Sequence, residues 1–232
     1  MKTRFNYIGD DWVRVKNQCR TTVNKDFTDN EPSSKFKTDL LISEHSPIRL
    51  IEIDWTWEDI YSWVATHWSR HKFEKFISTQ RDDRTESESS KFGDFDPVWL
   101  DIDGTEHHPY KTRNDAPQGK LVRFDGYANM QGLIDAFRKR LCFQASSETR
   151  ELAEDYKVAL HETKPELADI LVPNCIYRLG CPEFDMCKER TFIEFLHWYD
   201  EYYKNDYAPL ISIKYRYVLY NKWFYENHKL SA

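Results

Sequence analysis

Apolar residues recur at helical spacing from Trp12, with Val15 and Cys19 on the same stripe, which predicts a helix from Trp12 to Val23. Residues 24–38 are polar, include Asn30, Pro32, Ser33 and Ser34, and have the composition of a surface loop. The apolar run Leu40, Leu41, Ile42 cannot extend as a helix past Ser46-Pro47, because proline disfavours the helical conformation in the residue before it. Ile51, Ile53 and Trp55 alternate with Glu52 and Asp54, the pattern of a half-buried strand. Thr56, with Asp59 at the capping-box position, then reads as an N-cap. Trp57, Tyr61, Val64 and Trp68 form one stripe of the helix expected to follow.

Residues 82–128 are rich in Asp, Ser, Pro and Gly and predict a long loop. From Asn129 the helical pattern returns, with Leu133, Phe137, Leu141, Ala145, Leu152 and Tyr156 on one long stripe that ends before Pro165. Thr191 and Glu194 form a capping box that opens an aromatic helix running through Tyr203. Ile211, Ile213, Tyr215 and Tyr217 alternate with Ser212, Lys214 and Arg216, which reads as a strand. The elements together predict an α/β (α+β) protein with a mixed sheet and long helices.

Composition narrows the function. A net charge of -6 argues against a binder held by nucleic-acid phosphates. No GxGxxG or GxxxxGK[ST] occurs, and the chain has only 7 glycines with which to line a dinucleotide fold. No apolar run reaches membrane-spanning length and no signal-peptide pattern opens the chain, so a cytoplasmic protein is expected. The odd count of 5 cysteines also fits a reducing compartment.

Candidate chemistry gathers between His67 and Arg84, where Arg70, His71, Lys72, Lys75 and Arg81 precede the acid pair Asp82-Asp83. Arg70 and Arg81 are permanently charged planar clamps suited to a phosphate-bearing ligand, although a basic helix end followed by a charged turn gives the same pattern. Eleven residues make about three helical turns, so Asn129 and Arg140 share a face, as do Gln131 and Cys142. Arg140, between Phe137 and Leu141, needs an acid such as Glu148, a neighbouring subunit's carboxylate, or a ligand phosphate. Cys142, Cys175, Cys181 and Cys187 offer four thiolates for a structural zinc, though their spacing is not the CxxC type and buried thiols are the simpler reading. Asp101-Ile-Asp103-Gly-Thr resembles a phosphatase aspartate motif, but the apolar run before it is short and no βα alternation follows. His107-His108 lies in the same loop without further ligand spacing.

Three blocks, in this order, resemble flavin-dependent thymidylate synthases, specifically the shortened type of bacteriophage genomes. They are Glu44-His45-Ser46-Pro47-Ile48-Arg49, then Arg70-His71-Lys72 with Ser78-Thr79-Gln80-Arg81, then Asn129, Gln131, Asp135, Arg140, Ala145, Glu148 and Arg150. The resemblance spans residues 12 to 187 and implies reductive methylation of dUMP at C5. Methylenetetrahydrofolate would supply the carbon, FAD the hydride, and NADPH the electrons that reduce the flavin. It further implies that Ser46, Arg70, His71, Lys72, Asn129, Gln131 and Asp135 hold FAD, with the last three reaching it from another subunit of a homotetramer. His67, Ser78, Thr79, Gln80, Arg81 and Arg140 would surround dUMP, with Arg81 and Arg140 as the catalytic pair and Arg113 a further candidate. Glu44 and Arg49 stand where the family has a histidine and a glutamate, and Gln131 and Asp135 replace an arginine and an asparagine. Residues 1–190 would form the synthase-like domain, with 191–232 an aromatic extension packed on it. Two other readings remain: a relative that binds or modifies another pyrimidine nucleotide, and a non-catalytic assembly protein on the same fold.

Overall fold

The computed structural model describes residues 3–79, 118–184, 192–204 and 206–228, with the backbone alone at 99–100 and 106–107. A four-stranded antiparallel sheet runs in the order β1 (Thr3–Gly9), β2 (Glu52–Tyr61), β6 (Leu121–Asn129), β3 (Glu74–Ile77). The short strands β4 (Trp99–Leu100) and β5 (Glu106–His107) pair separately. Helices α1 (Trp12–Thr21), α2 (Ser34–Ile42) and α3 (Ser62–Ser69) flank the first strands, with a 3-10 turn at Ser46–Leu50. The second half is helical: α4 (Met130–Arg140), α5 (Ser147–Thr163), α6 (Pro165–Ala168), α7 (Asn174–Arg178), α8 (Phe192–Tyr203), α9 (Ala208–Ile211) and α10 (Ile213–Asn227). The expected α/β (α+β) class with long helices holds, but the sheet expected to be mixed is antiparallel in every described pairing. Among the described residues, no helix is long and apolar enough to cross a membrane.

Several boundaries differ from the expectation. The helix expected from Thr56 starts only at Ser62, as α3, because β2 continues to Tyr61 as an inner strand between β1 and β6. Trp55 and Trp57 both point inward and are fully buried, so strand alternation outlasts the apparent capping box. Thr56 faces the other way, donating to Asp125 Oδ1 at 2.7 Å and accepting from Asn6 Nδ2 at 2.9 Å. A register shift between Trp57 and Ile60, with Asp59 at a φ of 55°, returns Ile60 to the core. The polar stretch 24–38 closes earlier than expected, since Ser33 caps α2 by accepting from Phe36 N at 3.2 Å. The long loop likewise ends before β6, whose Val122, Phe124, Gly126 and Ala128 face inward.

The single helix expected beyond Asn129 is two, separated by residues 141–146, where Ser146 starts α5. The strand expected at Ile211–Tyr217 is instead the end of α9 and the start of α10. Ser212 Oγ accepts from Tyr215 N at 3.5 Å, and residues 216, 217, 220, 223 and 224 bury one helical face, outweighing the short alternation before them. Arg216 is buried and donates to carbonyls at the ends of α7 and α9.

Aromatic rings bind the sheet to the helices. Trp57 meets Trp68 at 4.8 Å between centroids, and Trp55 and Phe137 meet Tyr156 at 5.3 Å and 4.9 Å. These contacts fix β2, α3, α4 and α5 against one another. Gly126 leaves the space that Trp55 occupies, since a Cβ there would lie 2.3 Å from the indole. Gly126→Ala is therefore expected to destabilise by about 1–3 kcal/mol, the range for overpacking a filled core. Urea denaturation checks this, and an unchanged midpoint would mean that the Trp55 ring moves aside without cost.

Candidate anion-binding site where three helices meet

The end of α3, the end of α4 and the start of α5 converge on Arg140. Its Nε donates to His71 Nε2 at 2.7 Å and its Nη2 to the His67 carbonyl at 2.6 Å. That carbonyl belongs to the last turn of α3, whose final C=O groups lack intrahelical partners, so Arg140 serves as a side-chain cap. A guanidinium carries five N–H donors. Two are engaged here, and the other three have no partner among the described residues.

Because Arg140 donates to His71 Nε2, that nitrogen carries no proton and the ring is neutral, protonated on Nδ1. Burial, then the charges of Arg140 and Lys75, pull the His71 pKa down to about 4. His67 is lowered by burial first, then by Arg140 and Arg70. Arg140 itself is lowered by burial and by the Arg70 charge. No carboxylate pairs with Arg140 or Arg70 among the described residues. Glu148, the acid expected as a partner, accepts instead from Ser147 Oγ at 3.0 Å. A half-buried guanidinium beside a second cation and two neutral imidazoles favours an oxyanion.

The neighbouring residues are placed as follows. Arg70 caps α3 and is exposed, as is Lys72, while Lys75 Nζ secures the turn by donating to the carbonyls of His71 and Phe73 at 2.9 Å and 3.1 Å. The Lys72 carbonyl lies 3.5 Å from where a Cβ on Gly132 would stand, so this turn rests against the first turn of α4. Ser78 pairs with the Arg123 backbone, donating to its carbonyl and accepting from its N–H, both at 2.9 Å. Thr79 is half-buried, whereas Gln80, Arg81, Arg113 and His108 lie outside the described residues. Ser46 and Arg49 are exposed on the 3-10 turn.

On α4, Asn129 Oδ1 accepts from Gly132 N at 2.9 Å as the N-cap. Gln131 donates to Glu44 at 2.8 Å and to Asp135 at 3.3 Å. Arg138 pairs with Glu44 and lies over the Tyr177 ring at 3.7 Å. The acid at position 44 is thus answered by a cation that sequence reasoning missed. The reversed charge at Glu44 was its only signal. Thr149, which meets His67, was missed as well.

Among the described residues no group of three ligating side chains could hold a metal. Cys142 and Cys175 are buried, Cys181 is half-buried, and Cys187 lies outside the described residues. A separate cavity of about 380 Å³ between α2, α6 and α10, lined by Leu41, Asp169, Tyr217 and Tyr225 among others, includes none of the Arg140 cluster.

No protein-family model matches the sequence, and no curated protein matches it. Solved structures do. The flavin-dependent thymidylate synthase ThyX from Helicobacter pylori, complexed with FAD and dUMP, is similar at a TM-score of 0.53 and 14% identity, covering 74% of this chain and 100% of that one. A second Helicobacter pylori ThyX structure with FAD and dUMP gives 0.53 at 13% identity, covering 74% and 99%. A UMP/dUMP methylase from Streptomyces cacaoi bound with 5-Br dUMP gives 0.51 at 13% identity, covering 73% and 93%. At such identities the likeness is one of fold: this chain has a ThyX-like fold.

Proposed function

We propose that the chain binds dUMP at the Arg140 cluster and methylates it reductively at C5, as a flavin-dependent thymidylate synthase. The observation that carries this reading is Arg140 itself, half-buried and without a carboxylate among the described residues, on a fold shared with proteins described with dUMP. Arg140 would take the nucleotide's anionic groups, with His67 as a neutral neighbour. Ser78, Thr79, Gln80 and Arg81 would line the same ligand, and Arg81 and Arg140 would stabilise charge developing on the uracil ring. Neutral His71 adds no charge of its own and holds the guanidinium by its Nε.

The exposed cations of the Arg70–Lys72 turn fit the pyrophosphate of FAD, and Ser46, His71 and Asn129 are proposed beside them. Gln131 and Asp135 would meet the cofactor only from within the Glu44–Arg138 network. When bound, FAD would supply the hydride, with NADPH as reductant and methylenetetrahydrofolate as carbon donor. Residues 1–190 would carry this chemistry and 191–232 extend the same domain, in a homotetramer.

A second reading rests on that network. Glu44 and Asp135 place carboxylates where the resemblance implies a histidine and an asparagine, which favours a pyrimidine-nucleotide relative that has lost the flavin. The absorbance spectrum of the purified protein, with and without added FAD, separates the two readings. Thermal stabilisation by dUMP without flavin uptake selects the second, and stabilisation by neither ligand removes both. Under the first reading FAD also strengthens the oligomer. Sedimentation should then show a larger species in the FAD-loaded protein, and a monomer in both states would sink the shared-site assembly.

A further inference from the structure

Thr149 is fully buried at the third position of α5. Its Oγ1 lies 2.8 Å from Ser146 Oγ, which donates to it, and 3.1 Å from His67 Nδ1. A threonine hydroxyl has one proton to give and two lone pairs. With Ser146 donating to Thr149, the threonine's own proton is directed to His67 Nδ1. The ring's own proton then sits on Nε2.

Charging the imidazole would put an N–H on Nδ1 as well. Thr149 would then receive two donors unless the Ser146–Thr149 bond reversed, so charging the ring disrupts the chain as it stands. The groups facing the ring act in the same direction: Arg140 holds the His67 carbonyl, and Arg70 follows at the end of α3. Trp63 packs against the ring edge at 5.5 Å between centroids.

We propose that Thr149 is a positioning residue. Through the Ser146–Thr149–His67 chain it fixes His67 as the neutral Nε2–H tautomer, a hydrogen-bond donor for an acceptor oxygen of the nucleotide. The ligand half of this proposal rests on the dUMP reading above. His67 would then serve the uncharged C4 carbonyl of the base, beside the arginines that serve the phosphate and the ring. At C4 a neutral donor suits the carbonyl of uracil and opposes the amino group of cytosine, so the same chain favours a uracil nucleotide.

The test combines nitrogen NMR of the histidine rings, with the His67 signals assigned through His67→Gln, and calorimetric titration with dUMP and dCMP. The wild type is expected to show the Nε2–H tautomer and to prefer dUMP. Thr149→Val, similar in shape but without the hydroxyl, is expected to give mixed tautomers and about a fivefold weaker dUMP affinity. Thr149→Ser should restore both, which a merely structural role for the methyl group would not do. An Nδ1–H tautomer in the wild type overturns the proposal even if the valine variant fails to fold. So does a folded Thr149→Val with wild-type tautomer and affinity. A wild type with the Nε2–H tautomer that binds no dUMP removes the nucleotide reading and leaves the hydrogen-bond chain standing.

Discussion

Arg140→Ala is expected to raise the dissociation constant for dUMP ten- to a hundredfold while changing FAD affinity far less. A charge-assisted hydrogen bond contributes about 1.5–3 kcal/mol, and each 1.4 kcal/mol is a factor of ten in affinity. The same substitution also strips His71 Nε2 and the His67 carbonyl of their donor. The apo protein should therefore lose roughly 1–3 kcal/mol, the net worth of two such bonds at a half-buried site. Two effects on one residue must be separated, and Arg140→Lys does this. Lysine keeps the charge but loses the planar fork, so it cannot hold both acceptors and a phosphate at once. It should recover part of the dUMP affinity and little of the apo stability. Titration calorimetry with dUMP, beside melting curves without ligand, reads both quantities. A lowered melting point with unchanged dUMP affinity would reduce Arg140 to a helix cap. The nucleotide would then have to bind elsewhere.

The fold was legible where one periodicity ran uninterrupted. Trp12, Val15 and Cys19 marked α1, and Leu133 with Phe137 marked α4, because each helix buries one face. It was illegible where the inward residues are small or the period breaks. In β6 the inward set includes Gly126 and Ala128, which carry no hydrophobic signal, and Gly126 is small because Trp55 needs the space. In β1 a register shift between Phe5 and Tyr7 destroys the alternation that would have revealed the strand. Thr56 and Asp59 imitated a helix start because local propensity knows nothing of the two strands flanking β2. The candidate site was readable by residue type at Arg70, His71 and Arg140. Its pairing was not, because Arg140 meets His71 from 69 positions away in sequence. Thr149, similarly, carried no signal of its own until the fold set it against His67, 82 positions earlier.

Between about pH 7 and pH 9 the protein is expected to become more stable as pH rises, and Lys157→Met should remove most of that slope. Lys157 is fully buried on α5, and its Nζ donates to the Ala168 carbonyl at 2.8 Å and to Asn221 Oδ1 at 2.7 Å. No carboxylate lies within ion-pairing distance among the described residues. The rings of Phe224 and Tyr225 stand 5.2 Å away and that of Tyr220 5.9 Å. A neutral amine has two N–H groups for these two acceptors, whereas an ammonium has a third that meets only aromatic faces. Burial lowers the pKa from 10.5 to about 7, with Asp169 opposing the shift from a distance. The sign follows from proton binding. Between the folded value and the unfolded value, the unfolded chain carries a proton that the folded chain lacks, so raising pH stabilises the fold by about 1.4 kcal/mol per unit. Below that window both states are protonated and Lys157 adds no slope. Methionine cannot donate, so the variant leaves two acceptors unpaired and should be less stable at pH 9 by on the order of 2–4 kcal/mol. At pH 7 that deficit should shrink by about 2–3 kcal/mol, because only the wild type then buries a charge. Urea denaturation of both proteins across this range measures the difference directly. A deficit that stays constant with pH would mean that Lys157 remains charged throughout, held by the aromatic faces and Asp169 rather than by its two hydrogen bonds alone.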